Sequence, residues 1–191
     1  AWSMRERTSA RSLAGSVMAR CYSGPVPRLK PLPQIWLLSD ARNDAGLERA
    51  LRRLPRRSGF VFRHYHLPAP ERRARYERLA RIARSRGHMV VLAGTQAEAR
   101  RWRAEGSYGL GGMLATAHSL RELRRTGRAA AVLLSPVFPT RSHPGAPALG
   151  PLRFLLMAQK ARIPVLALGG MTPRRAARLL VHGWAAIDGL S

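Results

Sequence analysis

Short, mostly apolar stretches recur along this chain, at 35–38, 60–65, 88–93, 107–110, 113–117, 130–134, 164–168 and 184–187. Runs of this length, bounded by Gly, Pro, Ser or Asp and lacking polar alternation, predict strands buried on both faces. Between them the apolar positions return every three or four residues, which predicts helices over 45–54, 70–85, 96–105, 119–126, 152–162 and 174–182. In the second of these, Tyr76, Leu79, Ile82 and Ala83 share one face and arginines occupy the other. Thr172 and Pro173 suit the N-cap and first position of the last helix.

Strands alternating with helices build right-handed βαβ units, hence an α/β fold with a parallel sheet. Two closures compete, a (β/α)8 TIM-type barrel and an open doubly wound sheet. Eight units favour the barrel. Residues 34–191 are fewer than the roughly 200 a small barrel takes, and the saving is visible. Only Gly111-Gly112 separates strands four and five, so helix four is reduced, and the sequence stops at Ser191 with no helix eight. The expectation is therefore a shortened barrel domain over 34–191, preceded by an N-terminal extension over 1–33. That extension is rich in Arg and Ser and ends among prolines, with a short helix suggested over 12–20. Its composition fits an organelle transit peptide, or an over-long start with Met4 or Met18 as a later one.

Charge changes this picture less than its size suggests. The formal net charge is +24, but Lys30 and Lys160 are the only lysines, and the arginines are scattered over helical faces. Such a distribution, without a reading motif, argues against a specific nucleic-acid partner. One cysteine, Cys21, excludes an internal disulfide framework. No apolar run approaches the roughly 18 residues of a spanning helix, so no membrane partner is expected and the localisation expected is cytoplasmic.

In a parallel barrel the chemistry belongs at the carboxyl ends of the strands. In order these carry Asp40, Arg63 with Tyr65, Ala93-Gly94, Gly111-Gly112, His118, Ser135 with the loop to His143, Gly169-Gly170 and Asp188-Gly189. Glycines let backbone N–H groups converge on an anion, and a helix starting after Gly170 would add its dipole. The segment Gly169-Gly170-Met171-Thr172-Pro173 thus points to phosphate. The pair His64 and His66 lacks a third ligand nearby and makes a weak metal candidate. No nucleophile elbow surrounds Ser135. Trp36, Trp102 and Trp184 lie on apolar faces and are read as core.

Four segments resemble the thiamine-phosphate synthase/TenI family, phosphate-binding barrels of thiamine biosynthesis. They are SPVFPTRSHPGAPALGP, IPVLALGGMTP, TAHSLRELRR and HGWAAIDGLS. The resemblance covers about residues 33–191 and is strongest in the second half. It implies a backbone phosphate grip at Gly169, Gly170, Asp188 and Gly189. It places a hydroxyl-bearing substrate loop on Thr140 and Ser142, and a strand-two arginine on Arg63. Ser135, Tyr65 and His143 complete the implied substrate-binding set, the last two standing where the family carries lysines. His118 matches the proton-transfer histidine of the TenI branch, and an imidazole titrates in the range such a role requires.

The departures matter as much. A synthase that joins a pyrimidine pyrophosphate to a thiazole phosphate holds the leaving pyrophosphate through Mg²⁺ on carboxylates. The implied positions read VVLAGT and YGLGGM, without Asp, Glu or Asn, and Asp188 replaces a small neutral residue. No cofactor is therefore expected, and Mg²⁺ only in a true synthase. Three readings follow. The favoured one is a TenI-like protein that binds a small phosphorylated thiazole and isomerises it through His118. The second is thiamine-phosphate synthase, a transferase. The third is a non-catalytic phosphate-binding or regulatory barrel. Apolar surface left bare by the missing eighth helix would invite the N-terminal extension or a second copy, giving a homo-oligomer.

Overall fold

The computed structural model describes residues 31–141, 145 and 147–190. One compact unit, Leu32–Ser191, holds the whole sheet. Its strands are β1 (Ile35–Leu38), β2 (Gly59–Phe62), β3 (Met89–Ala93), β4 (Gly106–Tyr108), β5 (Leu114–Ala117), β6 (Ala131–Leu134), β7 (Val165–Ala167) and β8 (Gly183–Ala186). They form a closed parallel barrel in sequence order, sealed where Ile35 pairs with Trp184 and Leu37 with Ala186. The barrel, not the open sheet, is the closure adopted.

Alternate residues of each strand divide between two environments, as a period of two requires. Trp36, Leu38, Val61, Val91, Leu114, Leu133 and Leu166 pack together inside the cylinder. Their neighbours Leu37, Phe60, Phe62, Val90 and Leu92 face outward against α1 (Leu47–Arg53), α2 (Ala69–Ser85) and α3 (Gln96–Arg101). On the other side Ala117, Val132, Leu134, Val165 and Ala167 pack with residues of α4 (Leu120–Leu123) and α5 (Gly150–Ala158). Continuous apolar strands are the direct result: every position is covered by something. Gly59 is part of the interior fit, because a Cβ there would run into the Trp36 ring across the β1–β2 pair. Trp36 and Trp102 are buried as read from sequence, and Trp184 is partly so.

The helices depart from their predicted lengths where the chain must return to the sheet. Between β4 and β5 a tight turn replaces the helix, and only Tyr108 and Leu114 pair. The last helix, predicted over 174–182, is the single turn α6 (Pro173–Ala176). Its exit tightens through Arg178 N–H to Arg175 O and Leu179 N–H to Ala176 O, at 3.2 and 3.0 Å. That tightening buries Leu179 and leaves Leu180 exposed, so the apolar spacing there marks a turn and not a helical face. No helix of the described residues is long and apolar enough to cross a membrane.

Candidate active site

A cleft of about 920 Å³ opens at the carboxyl ends of the strands. Arg63, His118, Ser135, Thr140, Gly169, Gly170, Asp188 and Gly189 all line it. Residues far apart in sequence are thus gathered by one rim. Tyr65 does not line the cleft; it is largely exposed, with the Arg72 guanidinium 5.6 Å from its ring. The reason is local: β2 ends at Phe62, and His64 takes φ +36, which turns the chain outward. Ser142 and His143 lie outside the described residues. Arg141, in the loop after β6 read from sequence as part of the rim, lines the cleft too; Tyr108, Thr116 and Arg175 also line it and were missed from sequence. A side chain's entry into a rim depends on the turn after its strand, which apolar periodicity does not encode.

The wall formed by the loops after β6 and β7 is largely backbone. After β6 the chain stays in register with β7, Val137 N–H donating to Leu168 O at 2.9 Å and Phe138 N–H to Gly169 O at 3.1 Å. The loop is closed at its base by Leu149 N–H to Pro136 O and Gly150 N–H to Val137 O, both 2.9 Å. Gly169 and Gly170 have φ of +99 and +59. A Cβ on Gly169 would stand 2.7 Å from Pro136 Cα, and one on Gly170 would stand 2.5 Å from Pro139 O. Only glycine satisfies both the left-handed backbone and this close approach.

His118 is held from its Nδ1. That atom lies 3.0 Å from the Ser135 carbonyl and 3.2 Å from Ser135 Oγ, while the His118 N–H donates to Glu122 Oε2 at 2.8 Å. A carbonyl only accepts, so Nδ1 carries the hydrogen and the neutral ring keeps its lone pair on Nε2.

Across the cleft the charges are interlocked. Arg63 Nη2 donates to Asp40 Oδ2 at 2.9 Å, and its positive charge lies close to the Tyr108 hydroxyl. Arg63 Nε is buried without a partner. Arg42 donates from Nε to Asp40 Oδ1 at 2.9 Å and reaches Asp188 Oδ2 from Nη1 at 3.5 Å. Partial burial pushes the Asp40 carboxyl up, but the hydrogen bonds and charges of Arg42 and Arg63 outweigh it and hold it below the usual range. Burial raises the Tyr108 hydroxyl, against the nearby Arg63 charge.

These contacts bear on a divalent cation. Among the described residues no three of His, Cys, Asp and Glu gather to hold a metal ion. Glu98, after β3, is occupied capping α3 through Thr95, and Asp40 is already engaged by two arginines. The donor set does not fit Mg²⁺. His64, considered with His66 for a metal, is buried instead between Ser39 Oγ (2.8 Å) and Asp44 Oδ1 (2.7 Å), stacked on Phe62. Burial lowers its pKa, with Asp44 opposing.

Residues 111–190, which carry most of this wall, match the TMP-TENI family model, described as thiamine monophosphate synthase. Over that stretch the chain is similar to the thiamine monophosphate synthase/TenI family. A relative from Aquifex aeolicus strain VF5, provisionally named thiamine-phosphate synthase 2, is 36% identical over 78 residues. That match spans 40% of this chain and 42% of the relative, so it covers less than half the relative's length. In fold, the barrel is similar to a thiamine phosphate pyrophosphorylase from Pyrococcus furiosus, with a TM-score of 0.68. That likeness covers 81% of this chain and 85% of the other at 20% identity. The sequence similarity thus lies in the second half of the chain, and the fold likeness extends through the first.

Proposed function

We propose that this barrel binds a phosphorylated thiazole at its carboxyl rim and interconverts thiazole tautomers, with His118 moving the proton. The observation that carries this reading is the hold of the Ser135 carbonyl on His118 Nδ1, which leaves Nε2 as the basic atom of a ring lining the cleft. Tautomer interconversion needs one group that takes a proton from carbon and returns it elsewhere, and a neutral imidazole does both. The glycine turns at Gly169-Gly170 and at Gly189 border the same cleft and suit the phosphoryl group. Other cleft residues then act by position: Arg63 and Tyr108 form the opposite wall, and Thr140 brings a hydroxyl from the loop after β6.

The experiment is turnover of the tautomers by wild type and His118→Ala, with ligand affinity measured alongside. The reading expects turnover to vanish and affinity to stay within about threefold, since the ring is assigned to the proton and not to the phosphate. Retained turnover in the variant would remove His118 from the chemistry. Binding without turnover in wild type would leave the non-catalytic, regulatory barrel.

A second reading, thiamine-phosphate synthase, is supported by the family model and the name of the Aquifex relative. It requires pyrophosphate to leave from a site whose donors do not suit Mg²⁺. Thiamine phosphate formation from the two phosphorylated halves, absent at saturating Mg²⁺, would dismiss it.

A further inference from the structure

Phosphate needs positive charge as well as N–H donors, and this rim offers less of it from backbone than the sequence suggests. The helix after Gly170 is one turn long, so few peptide dipoles align behind it. Asp188 puts a carboxylate on the same cleft, and Arg63 is already paired with Asp40. Arg175 stands differently. It lines the cleft, its guanidinium carbon lies 4.4 Å from the Phe138 ring centroid, and its Nη1 donates to the Gly170 carbonyl. Phe138 belongs to the loop after β6 and Gly170 to the turn after β7. The guanidinium is therefore fixed to both halves of the wall that these loops form, with only one of its five N–H donors used by these contacts. Stacking on an aromatic face leaves the in-plane donors free to meet oxygens.

We infer that Arg175 is a phosphate-binding residue of this cleft, supplying the charge and the forked donors that complete the glycine backbone grip for a phosphomonoester. The inference rests on the phosphorylated-thiazole reading for the identity of the ligand, and on the geometry alone for the phosphoryl group. It makes selectivity for the phosphorylated over the unphosphorylated form a property of one side chain.

The test is calorimetry with phosphorylated thiazole and with its unphosphorylated alcohol, on wild type, Arg175→Gln and Arg175→Lys. Arg174→Gln serves as control, an exposed neighbour outside the cleft lining. Arg175→Gln is expected to weaken the phosphorylated ligand by about tenfold or more, the effect of losing a charged hydrogen bond. The alcohol should change by less than about twofold and Arg174→Gln should match wild type, because neither loses a contact to phosphate. Equal affinities of wild type and Arg175→Gln for the phosphorylated form would overturn the assignment and leave the thiazole reading standing. So would an equal loss for both ligands in a folded variant. If Arg175→Gln proves unfolded by circular dichroism, the ratio of affinities is read from Arg175→Lys, which keeps the charge without the fork. A fall of about threefold or more supports the assignment, and an unchanged ratio overturns it. Should wild type bind neither thiazole, that reading falls and inorganic phosphate becomes the probe. Phosphate binding lost in the variant keeps Arg175 in its role; absent or unchanged phosphate binding removes it.

Discussion

The His118 ring and the Ser135 carbonyl meet at 3.0 Å, joining the end of β5 to the end of its neighbour β6 at the mouth of the barrel. The contact uses a main-chain atom, so the tautomer of His118 is set by the fold and not by a neighbouring side chain. Ser135→Ala removes only the 3.2 Å hydroxyl contact. It is expected to lower tautomer turnover by no more than about threefold, whereas His118→Gln should lower it by about a hundredfold or more. Steady-state rates of the two variants on one substrate decide this. Comparable losses would assign the tautomer to the hydroxyl.

Gly169 and Gly170 predict a joint cost in stability and binding. Gly169→Ala must relieve a 2.7 Å approach to Pro136 Cα while holding φ near +99. A loss of about 2–4 kcal/mol is expected, from backbone strain plus overpacking. Gly46→Ala meets nothing within 4 Å and is expected to lie within about 0.5 kcal/mol of wild type. Urea unfolding of both variants, with phosphate affinity measured on each, is the check.

Metal dependence separates the readings cheaply. Binding of phosphorylated thiazole is expected to agree within about twofold in EDTA and in millimolar Mg²⁺, because the carboxylates at the rim, Asp40 and Asp188, are engaged by arginines. Tenfold stimulation by Mg²⁺ would show that ligand and ion bind together.

Acid should weaken the fold before its carboxylates titrate. His88 is fully buried, donating from Nε2 to Leu51 O at 2.9 Å and accepting the Ser58 N–H on Nδ1 at 3.2 Å. Burial lowers its pKa, and burial likewise lowers that of His64. The unfolded chain takes up these protons near the ordinary value of 6.5 while the folded chain does not. The unfolded state therefore binds more protons as pH falls, and stability declines below about pH 6.5 until the folded values are passed. Asp40, Asp44 and Glu48 have lowered values, so their contribution is lost only nearer pH 4. Urea midpoints at pH 7.5, 6.5 and 5.5 should fall in that order, less steeply in His88→Gln. A flat series would mean that both rings protonate within the fold.

How far the chain could be read depends on what each feature asks of its neighbours. The eight strands were legible because burial on both faces needs an unbroken apolar run, and β3 with β6 shows it plainly. The missing helix before β5 followed from Gly111-Gly112 alone. The rim was legible wherever a strand end and its next residue suffice, as at His118 and Gly169. It was not legible where a turn redirects the chain, as where Tyr65 leaves the cleft through the left-handed His64, nor where a polar residue in a helix's first turn faces the rim, as Arg175 does in α6. Nor does spacing reveal that Arg42 reaches Asp188, since 146 residues separate them and only closure of the sheet brings them close.

Asn43 donates its side-chain amide to both Leu38 O and Ile187 O at 3.0 Å, beside the Asp40–Arg42–Asp188 contacts. The first and last strands are therefore latched at the mouth itself. Prying the cylinder apart at its seam and dismantling the pocket would be one event, so ligand occupancy should guard the ring's weakest joint against proteolysis.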